Sequence, residues 1–198
     1  MSDSDYFVHE SARVDTPCEI GSGTKIWHFS HVMAGVRIGH NCNLGQNVYI
    51  DADVEIGTRC KIQNNVSVYK GVILEDGVFC GPSAVFTNVV NPRAFIERKD
   101  EFKPTQVGRG ATLGANCTIL CGRTIGAFAM IGAGAVITSD VPDFALVYGV
   151  PARQRGWICA CGIGLPAASG EAELQCPACQ RQYWLNGDQL QALADVEI

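Results

Sequence analysis

Two groups of residues have side chains and spacing suited to chemistry. Near the C-terminus, Cys159-Ala-Cys161 and Cys176-Pro-Ala-Cys179 are separated by 14 residues. Brought together by a hairpin, the two pairs offer four thiolates for a tetrahedral, closed, structural zinc site. Four sulfurs leave no open position, so catalytic zinc is not expected there. The first pair has one intervening residue instead of the usual two, and four reduced thiols are the alternative. The second group is His28 and His31, at the third and sixth places of one six-residue unit. Both places project outward, where an imidazole could act as general base or be an ordinary surface residue. His9 and His40 have no supporting context.

These residues must be held by whatever the rest of the chain builds, and its pattern is regular. From Val8 a bulky apolar residue returns at every sixth position: Val14, Ile20, Ile26, Val32, and so on to Phe86, with Cys80 the one cysteine in the series. Four places after each comes a smaller one, from Ala12, Cys18 and Thr24 to Val90. A period of six fits neither an amphipathic helix nor alternating strands. It predicts an all-β chain, a parallel β-helix in which each hexad is one short strand and its turn. Three hexads make one triangular coil, with bulky residues stacked along the axis and small ones near the corners. Glycine following the bulky residue (Gly21, Gly39, Gly45, Gly57, Gly81) is expected to allow a turn that Cβ disfavours.

The repeat divides the chain. Residues 1–7 form an N-terminal extension, residues 8–141 the β-helix, 142–156 an extended segment running along its outside, 157–185 the cysteine-rich ribbon, and 186–198 a short acidic helix. After Val90 the period fails, and an irregular charged stretch places a loop insertion over 88–106; the repeat resumes at Val107. Loops of this length in compact domains are usually functional or disordered. Twenty hexads give six to seven coils, a prism roughly 30 Å long at the spacing of adjacent strands. Arg123 interrupts the small series, so a distorted corner or an outward-reaching side chain is expected there. Cys18, Cys42, Cys60, Cys80 and Cys117 fall in inward slots as reduced, small hydrophobes, and Cys121 falls at an outward site.

The composition excludes several classes of function. The net charge of −5 disfavours a nucleic-acid partner. There is no secretory h-region at the start and no membrane-length apolar run. A cytoplasmic protein is expected.

Gly108-x-x-Ala111-x-Leu113-Gly114-Ala115-Asn116, Ile131-Gly132-Ala133-Gly134-Ala135-Val136 and Gly149-Val150-Pro151-Ala152 resemble the hexapeptide-repeat acyltransferases. That resemblance implies a left-handed β-helix, homotrimers with active sites between subunits, and acetyl-CoA as cosubstrate. Its pantetheine arm would lie along Gly114, Ala115, Gly132, Ala133, Pro151 and Arg153. The stretches 26–32, 61–72 and 86–94 narrow the resemblance to bacterial N-acetyltransferases of nucleotide-linked aminosugars. They are similar above all to those acetylating the 3-amino group of UDP-2-acetamido-3-amino-2,3-dideoxyglucuronate for surface polysaccharide (lipopolysaccharide O-antigen).

In that group the sugar is held from the inserted loop without a dedicated histidine base. The resemblance therefore implies that Asn88 contacts the region of the amine and Arg98 the sugar carboxylate. Asn88 could instead stabilise a turn, and Arg98 could be a solvated charge between Glu97 and Lys99. In other sugar acetyltransferases of this fold a histidine is the base, which keeps His28 among the catalytic candidates. Tyr49, Asn64, Asn65 and Lys70 are candidates for uridine or diphosphate contacts. The rival readings are transfer to another 3- or 4-aminosugar, a non-catalytic scaffold, and a zinc-dependent carbonic anhydrase. The last needs three converging histidines, and the chain has only four histidines in all.

Overall fold

The computed structural model of the protein describes residues 5–197, so the first four residues of the expected N-terminal extension and the final residue of the expected C-terminal helix lie outside it. The chain forms the expected left-handed parallel β-helix, three stacks of two- or three-residue strands wrapped into a prism. The first face runs from Phe7–Val8 to Met130–Ile131, the second from Arg13–Val14 to Val136–Ile137, and the third from Glu19–Ile20 to Thr124–Ile125. Phe7 thus belongs to the first strand. Within the regular coils each strand pairs with the one 18 residues on, as Lys25 with Asn43, but the three pairings that span the insertion, Val72 with Thr105, Phe79 with Thr112 and Val85 with Thr118, step 33. The insertion therefore adds fifteen residues (33 − 18 = 15).

The prism closes because each strand sends its second residue inward. Ile26, Leu44, Ile50, Ile62, Leu113 and Ile119 are fully buried, and the small series fills the corners between them. The corner geometry differs from the expectation for glycine. The left-handed backbone falls three places after the bulky residue, at Gly23, Phe29, Gly35, Asn41, Asn47 and their equivalents. Asparagine and glycine suit that position because their cost at positive φ is low. Glycine directly after the bulky residue meets a different constraint. A Cβ on Gly81 would stand 2.6 Å from the backbone nitrogen of Ala115 in the next coil.

The C-terminal part departs from expectation in two places. Residues 142–156 do not run along the outside. Ala145–Gly149 joins the first face in parallel with Met130–Ile131, and Ala152–Trp157 returns antiparallel beside it. Ala145, Val147 and Ala152 thereby cover the end of the core. The expected C-terminal helix is instead a strand, Gln189–Ala192, the last of three antiparallel strands with Glu171–Gln175 and Gln182–Asn186. Gly187, at φ 63°, opens a two-residue hairpin turn, and the alternation that follows buries Leu190 while exposing Gln189 and Gln191. This small sheet docks on the prism end, where Tyr183 packs edge-on against Phe144 (centroids 5.3 Å apart) and Phe144 stacks on Phe128.

Candidate active site

The insertion leaves the corner between the second and third faces. Asn88 stands at its root, two residues after Phe86, and the Lys103 N–H donates to the Asn88 carbonyl at 3.0 Å. The irregular stretch is thus closed at its base, and Asn88 is half-buried between two cavities. One, of about 620 Å³, lies under the loop and is lined by Arg93, Phe95, Arg98 and Phe102 as well as Asn88. The other, of about 530 Å³, lies against the prism and is lined by Tyr69, Thr87, Leu120, Cys121 and Arg123 as well as Asn88. Cys121 is accordingly buried, not outward, because the insertion covers this corner; its N–H donates to Thr87 Oγ1 at 2.9 Å. Arg123 adopts the outward-reaching alternative and is half-buried on the cavity wall.

Arg98 lines the first cavity, but its Nη1 donates to both carboxylate oxygens of Glu101, at 2.7 and 2.9 Å. That pair closes the single 3-10 turn Lys99–Glu101. Lys70 occupies the same corner as Asn88 one coil earlier, and its Nζ pairs with Asp53 at 2.7 Å. Tyr49, on the second face, donates to Asp51 at 3.2 Å and packs edge-on against Tyr69, which lines the cavity of Asn88.

Asn64 and Asn65 are engaged in the coil ladder at another corner. Asn64 Oδ1 accepts the Gln46 N–H at 2.8 Å, and Asn65, at φ 63°, accepts from Asn47 Nδ2 at 3.0 Å. His28 stacks on His9, with centroids 3.5 Å apart, at the corner between the first and second faces. His31 Nε2 lies 2.8 Å from Asp15 Oδ2. Hydrogen bonds from Arg13, and then from His31, hold the Asp15 carboxyl below its ordinary range. Both histidines lie in the second coil and Asn88 in the fifth, so roughly 14 Å of prism axis separates them at about 4.8 Å per coil.

Gly114-Ala115 and Gly132-Ala133 occupy successive turns at the corner between the first and second faces, joined by the Gly134 N–H donating to the Ala115 carbonyl at 2.8 Å. The hairpin carrying Pro151 and Arg153 extends the same face. A Cβ on Gly114 would meet the backbone of Ala133 at 2.6 Å, and one on Gly132 would meet Tyr148 Cβ at 2.7 Å. Coil stacking thus requires both glycines, whatever binds alongside. Arg153 lines a cavity of about 260 Å³ with Ser139, Asp140 and Gln154. The small-residue corner and the Asn88 corner lie at opposite edges of the second face.

The four tail cysteines converge. Their sulfurs all lie within 4.8 Å of one another, with Cys159 to Cys179 at 3.4 Å and Cys161 to Cys176 at 3.6 Å. Tetrahedral zinc with bonds of about 2.3 Å needs sulfurs about 3.8 Å apart, so the donor set fits. Backbone N–H groups of Cys179 and Ala178 pull the Cys176 thiol down to about 6, and the Tyr183 hydroxyl donates to Cys159 Sγ at 3.1 Å. Hydrogen bonds of this kind orient sulfur ligands and tune their basicity.

Sequence reasoning did not identify Tyr69, Thr87 or Leu120 as cavity residues. Their neighbourhood depends on a corner that only the insertion covers. It flagged Arg123 as an interruption without connecting it to Asn88, because the register across the insertion steps by 33 residues and sets Asn88 over Cys121, so that only the shared corner brings Asn88 and Arg123 to one cavity.

Comparison with known proteins places the chain among related molecules. The family described as bacterial transferase hexapeptide (six repeats) matches residues 17–52 and 104–139, and the hexapeptide repeat of succinyl-transferase matches 35–70. The dTDP-3-amino-3,6-dideoxy-alpha-D-galactopyranose 3-N-acetyltransferase of Aneurinibacillus thermoaerophilus is 43% identical over 170 residues, 86% of this chain and 88% of that protein. A hexapeptide-repeat acetyltransferase of Vibrio cholerae, solved with acetyl coenzyme A, superposes with a TM-score of 0.55 at 28% identity, over 62% of this chain and 70% of the other. A maltose O-acetyltransferase of Clostridium difficile gives 0.53 at 25%, over 60% and 67%.

Proposed function

The chain belongs to the hexapeptide-repeat acyltransferases, and we propose that within them it transfers the acetyl group of acetyl-CoA to the 3-amino group of a nucleotide-linked aminosugar used in surface-polysaccharide synthesis. The observation that carries this reading is the closed insertion, which presents Asn88 between two cavities on an otherwise regular prism. The relative at 43% identity is named for N-acetylation at a sugar 3-amino group, which supports the same acceptor position.

In the reaction the neutral amine nitrogen attacks the thioester carbonyl carbon. The carbonyl oxygen becomes an oxyanion, the C–S bond breaks, and the departing thiolate takes the proton released by nitrogen. Asn88 would orient the amine, holding the reacting nitrogen in line with the thioester carbonyl. The pantetheine arm would lie along Gly114, Ala115, Gly132 and Ala133, with Pro151 and Arg153 beyond; the Gly114 and Gly132 N–H groups donate to the Ile131 and Val147 carbonyls of the coil ladder, so what this corner offers the arm is its small-residue surface. His28 and His31 have no part in this scheme, given their separation from Asn88. Donor and acceptor corners on opposite edges of one face suit a homotrimer, in which the donor corner of one prism approaches the acceptor corner of its neighbour. Phe95, 83% exposed at the loop, suits contact with such a neighbour.

UDP-2-acetamido-3-amino-2,3-dideoxyglucuronate is the acceptor implied by the motif resemblance. A dTDP-3-amino-3,6-dideoxyhexose is the second reading, and the engagement of Arg98 with Glu101 favours it by occupying the cation expected for the carboxylate. The tail would hold one structural zinc through Cys159, Cys161, Cys176 and Cys179. No helix among the described residues is long and apolar enough to cross a membrane. Cytoplasmic substrates and stacked free cysteines suit a cytoplasmic enzyme. The test is thiol release from acetyl-CoA with each acceptor; absence of both release and acetyl-CoA binding would leave a scaffold.

A further inference from the structure

The small inward series holds Ala, Cys, Thr, Ser or Val at every turn of the prism except at Arg123. Its neighbours in the series one hexad before and after, Cys117 and Ala129, are buried and apolar. Arg123 sits on the corner that carries Lys70 and Asn88 in the two preceding coils. Its carbonyl accepts the Gln106 N–H at 3.1 Å, which fixes its backbone in the coil ladder. Arg13 pairs with Asp15 and Arg37 with Glu55. The Nε atoms of Arg98 and Arg123 are both buried with no hydrogen-bond partner, but the Arg98 guanidinium is held through Nη1 by Glu101, whereas Arg123 has no carboxylate beside it on its cavity wall. The cavity that Arg123 lines, with Tyr69, Thr87, Asn88, Leu120 and Cys121, contains no carboxylate.

A guanidinium nitrogen buried without a hydrogen-bond partner is costly, and the small slot offers Val at no such cost, as Val36 and Val48 demonstrate. A guanidinium on a largely apolar wall is also the group best suited to hold a carboxylate or phosphate by paired hydrogen bonds. We propose that Arg123 forms an oxyanion subsite of the acceptor cavity, binding a diphosphate oxygen or a sugar carboxylate of the nucleotide-linked sugar. This deepens the acyltransfer reading and rests on it. Anchoring the anion at Arg123 would set the distance from that group to the amine at Asn88, so the residue acts in acceptor binding and specificity and not in the bond-making step.

The test is calorimetric binding of UDP-glucuronate, UDP-glucose and dTDP-glucose, none of which carries the reacting amine, to the full-length protein and to Arg123→Val and Arg123→Lys. Valine is native to this slot elsewhere, so the first variant is expected to fold, and acetyl-CoA binding on the same preparations serves as the control. The expected result is at least a ten-fold loss of nucleotide-sugar affinity in Arg123→Val, part recovery in Arg123→Lys, and unchanged acetyl-CoA affinity. Equal loss for all three probes places the diphosphate at Arg123; loss for UDP-glucuronate alone places the carboxylate there. Wild-type affinity in Arg123→Val, equal loss of acetyl-CoA binding, or no binding of any probe by wild type overturns the proposal. If wild type acetylates no aminosugar yet loses probe binding in Arg123→Val, the acyltransfer reading fails and the subsite stands. Turnover with unaltered probe binding in the variant means the reverse.

Discussion

The Lys103 N–H donates to the Asn88 carbonyl at 3.0 Å, and this single bond ties the two ends of a fifteen-residue insertion (33 − 18 = 15) to one corner of the prism. Because it uses the backbone of Asn88, the side-chain amide is left to the cavities on either side. Asn88 therefore has a structural tie and a free functional group at once, and substitution separates them. Asn88→Ala keeps the backbone bond, so the melting temperature should remain near that of wild type. Loss of one hydrogen bond worth about 1 to 1.5 kcal/mol should lower kcat/KM for the acceptor roughly ten-fold. Steady-state rates and thermal melts on the same protein check both halves.

Arg98 and Glu101 should behave as a unit. Since the guanidinium is held by the carboxylate, Arg98→Ala and Glu101→Gln should each slacken the loop and lower acceptor kcat/KM by a similar small factor, about three-fold. Neither should alter the preference between acceptors with and without a carboxylate. A loss confined to carboxylated acceptors in Arg98→Ala would restore a direct contact.

The histidines should be dispensable for chemistry. His28→Ala and His31→Ala, with their rings engaged by His9 and Asp15, should retain kcat within about three-fold, whereas removal of a working general base costs 10² to 10⁴. A hundred-fold drop in either variant would place a base in the second coil.

Thiol labelling tests the cysteine assignments. Burial pushes the Cys117 thiol up to about 11 and raises that of Cys80 further, so less than about a thousandth of either is thiolate at pH 8. As the shift is upward, reactivity should appear only as pH rises towards those values, and in the folded protein alkylation at pH 8 should spare both. The purified protein should carry one zinc per chain by elemental analysis, and a chelator should expose all four tail thiols to labelling while the prism stays folded. Labelling of the prism cysteines at the same rate as the tail would contradict the inward assignment.

Gly81→Ala should destabilise the prism by roughly 1 to 3 kcal/mol, because its Cβ would press on the backbone of Ala115 at 2.6 Å and neither coil can yield without shifting the stack. Denaturant unfolding measures it.

The prism was legible because its repeat is a direct record of which side chains point inward, and the interruption at Asn91-Pro92-Arg93 marked the insertion. The four-cysteine convergence was legible from spacing alone. The corner chemistry was less so. Asn47 and Asn65 join their side-chain amides from left-handed turns that a sequence shows only as two more asparagines, and the buried state of Cys121 depends on a loop whose course the repeat does not encode. The terminal strand was misread as a helix because its acidic, alanine-bearing composition outweighed the hairpin signal of Asn186-Gly187-Asp188. Arg98 looked like a free cation because its partner lies three residues ahead in a single turn that the charged stretch conceals.

The central claim is acyl transfer to a 3-amino sugar at the Asn88 corner. Thiol release from acetyl-CoA, measured for wild type and Asn88→Ala with UDP-2-acetamido-3-amino-2,3-dideoxyglucuronate and with dTDP-3-amino-3,6-dideoxygalactose, tests it most directly. The account predicts turnover with at least one of the two, reduced about ten-fold in the variant with the fold intact. No release with either acceptor, or equal rates in wild type and Asn88→Ala, would contradict it.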